Sequence, residues 1–235
     1  MASTLRVEPA LEEDIPRLME IVAPAFGDFS YSQLIGETNT PSDRNAMGQR
    51  QAYAWKEHLK HYKLPIGIKC THIEPATGSE KIISSANWVI YDRARTEEEY
   101  LEPHCLVGAD WVQDEKRRER AKSATKSVVQ GRIRWMGGRP HGLLMYMATD
   151  PAYRRLGAAT KIVQWGLERC RELGIPAYLE ASDEGAPVYE KLGFEMVDSV
   201  YFDDYQVKVM IRWPPGTKEE DKKPTLPNRC KIGAE

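Results

Sequence analysis

Leu143-Leu144-Met145-Tyr146-Met147-Ala148, followed by Arg154-Arg155-Leu156-Gly157-Ala158-Ala159, is the stretch that decides how this chain folds. The first part is an unbroken apolar run, the pattern of a strand buried on both faces. A loop over residues 149–155 follows. Leu156, Ala159, Val163, Gly166, Leu167, Cys170 and Leu173 then recur at helical spacing, and Gly174 ends the helix. Pro176-Ala177-Tyr178-Leu179-Glu180-Ala181 reads as a second strand. Residues 143–181 therefore form a strand–helix–strand crossover, the connection that parallel strands require. A helix amino terminus carries unpaired N–H groups and a partial positive charge. Gly157, Ala158 and Ala159 leave room there for a bulky anion, and Arg154 and Arg155 add charge at the mouth. The segment reads either as a pyrophosphate cradle or as an exposed arginine pair opening an ordinary helix. A Gly-x-Gly-x-x-Gly dinucleotide fingerprint is missing, and no Gly-Lys-Ser/Thr of a Walker loop follows.

Upstream, Leu5-Arg6-Val7 suits a short strand, and Leu11, Ile15, Leu18, Met19, Val22 and Phe26 mark an amphipathic helix with Pro16 in its first turn. Residues 27–39 read as a loop. Thr40-Pro41-Ser42-Asp43 is a helix start with a Thr cap and an acid three residues later; Met47, Ala54, Trp55, His58, Leu59 and Tyr62 fall on or near one face. Residues 66–73 and 81–91 form a hairpin across Pro75-Ala76-Thr77-Gly78-Ser79. Residues 96–140 stand as an insertion with helical spacing from Asp114 to Met136. Its basic run (Lys116, Arg117, Arg118, Arg120, Lys122, Lys126, Arg132, Arg134) suits a solvated helix face, with contact to an anionic ligand as the alternative. Downstream come a short helix over residues 186–192 and a terminal hairpin, 195–202 and 206–213, turning at Asp203-Asp204. Residues 214–235 read as a mobile tail.

Composition narrows the function. The 235 residues are 41% hydrophobic and 29% charged, with a formal charge of −2, so the expectation is one domain, residues 1–213, with its own core. Near-neutral charge disfavours a dedicated nucleic-acid binder. The four cysteines form no C-x-x-C pair, and with the five histidines make no zinc spacing. Reduced thiols, a cytoplasmic location and no metal are expected. No apolar run is long enough to span a bilayer, and the amino terminus has no secretory pattern.

Two motifs together carry a family resemblance. Arg154, Gly157 and Ala159 match Arg/Gln-x-x-Gly-x-Gly/Ala, and Ala186-Pro187-Val188-Tyr189-Glu190-Lys191-Leu192-Gly193-Phe194 matches Ala-x-x-Tyr-x-x-x-Gly-Phe. In this order and spacing the chain resembles the GNAT N-acetyltransferase superfamily, most clearly over residues 143–197. In look it is similar to fungal GNAT enzymes and to puromycin-type small-molecule N-acetyltransferases. The resemblance implies an α/β (α+β) GNAT fold, a mixed sheet of about six or seven strands flanked by helices in a single domain. It implies acetyl-CoA as cofactor and direct transfer of acetyl to a small-molecule amine in a ternary complex, by a monomer or homodimer. The alternatives are a protein or peptide N-terminal or lysine acetyltransferase, and a non-catalytic acyl-CoA-binding module.

The resemblance also assigns residues. Met147, Ala148 and Thr149 would pair with the pantetheine arm. Arg154, Arg155, Leu156, Gly157, Ala158 and Ala159 would hold the pyrophosphate. Ser182 stands where many members carry a cofactor-contacting Asn; a hydroxyl still offers a hydrogen bond. Tyr189 is the candidate general acid, since a phenol, which ordinarily titrates at about pH 10, is protonated at neutral pH; the alternative is a core tyrosine packed beneath the cofactor. Strand alternation puts Tyr178, Glu180 and Ser182 on one face. A carboxylate in so apolar a strand makes Glu180 either the general base or a structural group hydrogen-bonded to a nearby backbone group or arginine. Phe29, Tyr31 and Trp88 suit either an acceptor pocket or the core.

Overall fold

The fold is that of a computed structural model, which describes residues 4–26, 40–101, 112, 114–202 and 205–226. In chain order the elements are β1 (Thr4–Pro9), α1 (Ile15–Phe26), α2 (Pro41–Leu59), β2 (Gly67–Ile73), β3 (Glu80–Tyr91), α3 (Glu97–Leu101) and α4 (Glu115–Met136). There follow β4 (His141–Thr149), α5 (Ala158–Leu173), β5 (Ala177–Ala181), α6 (Ala186–Glu190), β6 (Glu195–Phe202) and β7 (Tyr205–Arg212). Among the described residues seven strands make one sheet, in the order β1-β2-β3-β4-β5-β7-β6. Only β4 and β5 run parallel; the other neighbours are antiparallel. This is the mixed, helix-flanked sheet expected.

Helices cover both faces. On one, Leu18, Met19 and Val22 of α1, Met47 and Trp55 of α2, and Val128 and Met136 of α4 pack on Val89, Leu143, Tyr178 and Val209. On the other, Ile162, Val163 and Leu167 of α5 pack on Ile68, Trp88, Leu179 and Met210. The α5 contact depends on Gly166, where an added Cβ would lie 2.1 Å from the Trp88 indole. That indole is fully buried and donates through Nε1 to the Ile162 carbonyl at 3.2 Å. Trp88 therefore belongs to the β3–α5 core and not to a pocket wall.

Local chemistry explains the helix starts. The Thr40 hydroxyl accepts from Asp43 N at 3.2 Å, and Asp43 accepts from Thr40 N at 2.9 Å, a reciprocal cap. Asp114 caps α4 through Arg117 N at 2.8 Å.

Four expectations need correction. Leu156 is exposed and precedes the helix, which begins at Ala158; Ala158 and Ile162 take the buried positions. Leu59 and Leu173 are likewise exposed at helix ends. The basic face of α4 is not wholly solvated, because Arg132 is buried. The described part of the tail, to residue 226, is tied down: Leu226 N donates to the Arg134 carbonyl at 3.0 Å, Thr225 Oγ1 to the Trp135 carbonyl at 2.9 Å, and Lys222 pairs with Glu195 at 3.1 Å. The loop 27–39 with Phe29 and Tyr31, the turn Asp203-Asp204 and residues 227–235 lie outside the described residues.

Candidate active site

The crossover strands part soon after they meet. β4 and β5 share three pairs, Gly142 with Ala177, Leu143 with Tyr178 and Leu144 with Leu179. On its other edge β4 stays on β3 to its end, but Asn87 pairs with Tyr146 while Trp88 pairs with Leu144. Met145 is thus an extra residue, and a bulge of this kind bends its strand. Beyond Leu144 the edge of β4 facing β5 has no strand partner among the described residues. A cavity of about 810 Å³ opens in the wedge, within the range of small-molecule and cofactor sites.

One side of the cavity is the start of α5. Gly157 is left-handed at φ +88°, has no side-chain cap over the helix, and faces open space where a Cβ would stand. Arg155 also has a positive φ, +68°, a conformation that costs a non-glycine residue about 1 kcal/mol. The amides of Ala158, Ala159 and Thr160 therefore begin the helix with no side-chain acceptor over them. Both Arg154 and Arg155 border the cavity, as do Met147, Ala148 and Thr149. The loop after β4 is held from behind: Asp150 ion-pairs with Arg17 and caps the next turn through Ala152 N at 3.0 Å. Thr149 Oγ1 lies 2.9 Å from Ser84 Oγ, which donates to the Ala148 carbonyl at 2.7 Å.

β5 and α6 border the cavity as well. Ser182 accepts from Gly185 N at 3.2 Å through Oγ and from Ala186 N at 3.0 Å through its carbonyl. Tyr189 is 8% exposed and packs edge-to-face on Phe194, ring centroids 5.9 Å apart. Its hydroxyl makes no hydrogen bond among the described residues, and burial pushes its pKa up to about 12. It keeps its proton across the neutral range.

Glu180 lines the cavity from the face shared with α4. Arg132 of α4 grips it side-on, Nε to Oε1 at 2.8 Å and Nη2 to Oε2 at 2.8 Å, with both side chains at or below 10% exposure. The Tyr178 hydroxyl is buried beside them without a well-formed hydrogen bond. Burial first, then the nearby Glu180 charge, push it well above the usual phenol range.

Of the sequence candidates, the cavity gathers Met147, Ala148, Thr149, Arg154, Arg155, Gly157, Ala158, Ala159, Glu180, Ser182 and Tyr189. It does not take in Leu156 or Trp88. Sequence reasoning missed Arg132, Val128, Phe26, Tyr146 and Val207, which also line it. Arg132 lay inside a basic run, where nothing distinguished it from its solvated neighbours. Among the described residues no His, Cys, Asp and Glu cluster suits a metal ion, and no helix is long and apolar enough to cross a membrane.

A helix start without a side-chain cap, a splayed parallel pair and a buried tyrosine thus border one cavity. Residues 85–194 match the family model described as Acetyltransferase (GNAT) family, so that segment carries a GNAT domain. A curated relative from Ajellomyces capsulatus, named "Probable acyltransferase SID5", is 26% identical over 85 residues, 32% of this chain and 62% of that relative. The match thus spans less than two thirds of the relative's length. Among solved structures, one described as histone acetyltransferase HPA2 and related acetyltransferase, from Corynebacterium glutamicum, superposes with a TM-score of 0.52 at 18% identity, covering 97% of this chain and 100% of the other. Arylalkylamine N-acetyltransferase 2 from Aedes aegypti gives 0.55 at 16% identity, over 89% of this chain and 99% of the other. Both are likenesses of fold.

Proposed function

We propose that this chain is an acetyl-CoA-dependent N-acetyltransferase that passes acetyl directly to an amine of a small molecule. The observation that carries the reading is the wedge between β4 and β5, bordered by both an uncapped helix start and Tyr189. The residues present fit the cofactor. The open space over Gly157 admits a diphosphate to the amides of Ala158, Ala159 and Thr160, where helix-terminal N–H groups and the helix dipole favour an anion. Arg154 and Arg155 add charge at the entrance, the free edge of β4 at Met147 to Thr149 offers backbone groups to an amide-bearing arm, and the Ser182 hydroxyl retains a proton to donate.

Acetyl-CoA, when bound, supplies an acetyl thioester whose C–S bond breaks as the C–N bond to the amine forms. The chain supplies position and protons. Both substrates reach the wedge together, so orientation lowers the barrier without a covalent enzyme adduct. A β4 amide directed at the thioester carbonyl stabilises the charge that develops there, a contribution of about 3 kcal/mol for one fixed donor. Tyr189 holds a proton at Oη for the departing sulfur. Glu180 is the acceptor of the amine's proton, directly or through water.

Calorimetric titration with coenzyme A tests the cradle. Gly157→Glu fills it and opposes the diphosphate with a carboxylate, so affinity falls at least tenfold, about 1.4 kcal/mol. Gly157→Ala carries the positive-φ strain without the charge and loses much less. Equal affinity in Gly157→Glu and the parent removes the assignment.

A further inference from the structure

The cavity has a second side whose chemistry differs from the first. The walls that α1, α4 and β7 contribute are Ala25, Phe26, Val128 and Val207, joined by Tyr146 of β4. Phe26 and Tyr146 meet edge-to-face, with ring centroids 6.1 Å apart. Among the described residues, the charged groups on this side are Arg132 and Glu180, and they neutralise each other at 2.8 Å. The Tyr178 phenol beside them stays protonated. Arg154, Arg155 and Glu184 belong to the other side, with α5 and α6.

We propose that Arg132, brought by the inserted helix α4, is the residue that sets acceptor specificity: closed on Glu180, it makes an electroneutral, apolar-walled site for a single amine on an aromatic or aliphatic body. The inference rests on the acetyltransferase reading and narrows it. A carboxylate held by a guanidinium still has lone pairs to accept from an N–H, so Glu180 orients one amine while attracting little further positive charge. A polyamine would bury extra ammonium groups against Phe26, Val128 and Val207 with no counter-charge among the described residues, and burying an unpaired charge is strongly unfavourable. The side-on fork also fixes the direction of the Glu180 oxygens, which a lysine's point charge does not. Arg132 is thus a positioning residue. The α4 helix that carries it is itself anchored on β6, where Arg134 ion-pairs with Asp198 and Trp135 Nε1 donates to the same carboxylate at 2.9 Å.

Thiol release from acetyl-CoA tests this with 2-phenylethylamine, hexylamine, spermidine and a lysine-containing peptide. The full chain is expected to prefer the two monoamines by at least tenfold in kcat/KM. Arg132→Gln leaves Glu180 uncompensated, so the spermidine-to-monoamine ratio rises at least tenfold while acetyl-CoA KM is unchanged. Arg132→Lys keeps the charge and loses the fork. It raises monoamine KM several-fold, leaves acetyl-CoA KM as it was and moves the ratio little; it carries the test if Arg132→Gln does not fold. A parent that prefers spermidine or the peptide overturns the proposal and leaves acetyl transfer standing. So does a folded Arg132→Gln with unchanged selectivity, or, where that variant does not fold, an Arg132→Lys whose monoamine KM equals the parent's. No turnover with any of these amines overturns both the acceptor reading and this proposal, while a coenzyme A titration still decides the cofactor assignment.

Discussion

Tyr189 is where a hydroxyl and its surroundings separate two roles. Its ring is packed on Phe194, and its hydroxyl contributes no hydrogen bond among the described residues. Tyr189→Phe should therefore leave stability within about 0.5 kcal/mol. Turnover should fall on the order of 10²-fold, the weight of a positioned proton donor, with acetyl-CoA KM unchanged. Thermal melts and saturation kinetics on the two proteins check this; equal turnover would leave the tyrosine a packing residue. His141 offers a second test. It is buried with its Nδ1 2.8 Å from the Arg139 carbonyl, and burial, with Arg95 nearby, holds its pKa down at about 3. The folded chain keeps it neutral, whereas the unfolded chain protonates it at about pH 6.5. Its contribution is complete above about pH 6.5 and is lost as pH falls towards 3, by about 1.4 kcal/mol per unit well inside that window. Urea midpoints between about pH 7 and pH 5 should drop less steeply in His141→Asn than in the parent.

The same scale marks the limit of reading a lone sequence. Arg154, Gly157 and Ala159 stood out only together with the second motif at Tyr189, because alone they read equally well as an exposed arginine pair opening an ordinary helix. Glu180 stood out as a carboxylate in an apolar strand, with an arginine partner among its possible roles. Which arginine was not legible: Arg132 lies 48 positions away, and the pairing exists only once α4 crosses the sheet.

Elements were easier to read where pattern and punctuation agree. Thr40-Pro41-Ser42-Asp43 announces α2 with both halves of a capping box. The apolar spacing of α5 was clear, but the motif's own Leu156 drew the helix boundary two residues early, since a chain entering through left-handed Arg155 and Gly157 cannot yet be helical. The tail misled for a different reason. Alternating charges suggest a solvated segment, yet Thr225 and Leu226 satisfy carbonyls at the end of α4, orphaned as the last turn of any helix is. Removing residues 215–235 should thus cost about 1–3 kcal/mol and lower the melting temperature by several degrees. A truncated chain that melts with the parent would show that water serves those carbonyls equally well.

At the level of the whole molecule, a mixed, helix-flanked sheet followed from the element sequence and the family motifs, whereas the order of its strands came only with the structure. So did the division of the cavity. It arises because α1 and α4 share one face of the sheet and α5 and α6 the other, so one opening meets two kinds of surface, a polar helix start and an apolar wall. The insertion over residues 96–140 had no role legible in sequence; in space its long helix is part of that wall.

Met145 gives this architecture its bias. One spare amino acid in β4, set against β3, sits where the pairing with β5 stops, and among the described residues the main chain beyond it has no neighbouring strand on that edge. A version of the chain lacking that residue would be drawn toward a sturdier sheet with nowhere to admit a guest. Vacancy at this seam is thus written into the covalent chain itself, and robustness has been surrendered to keep it.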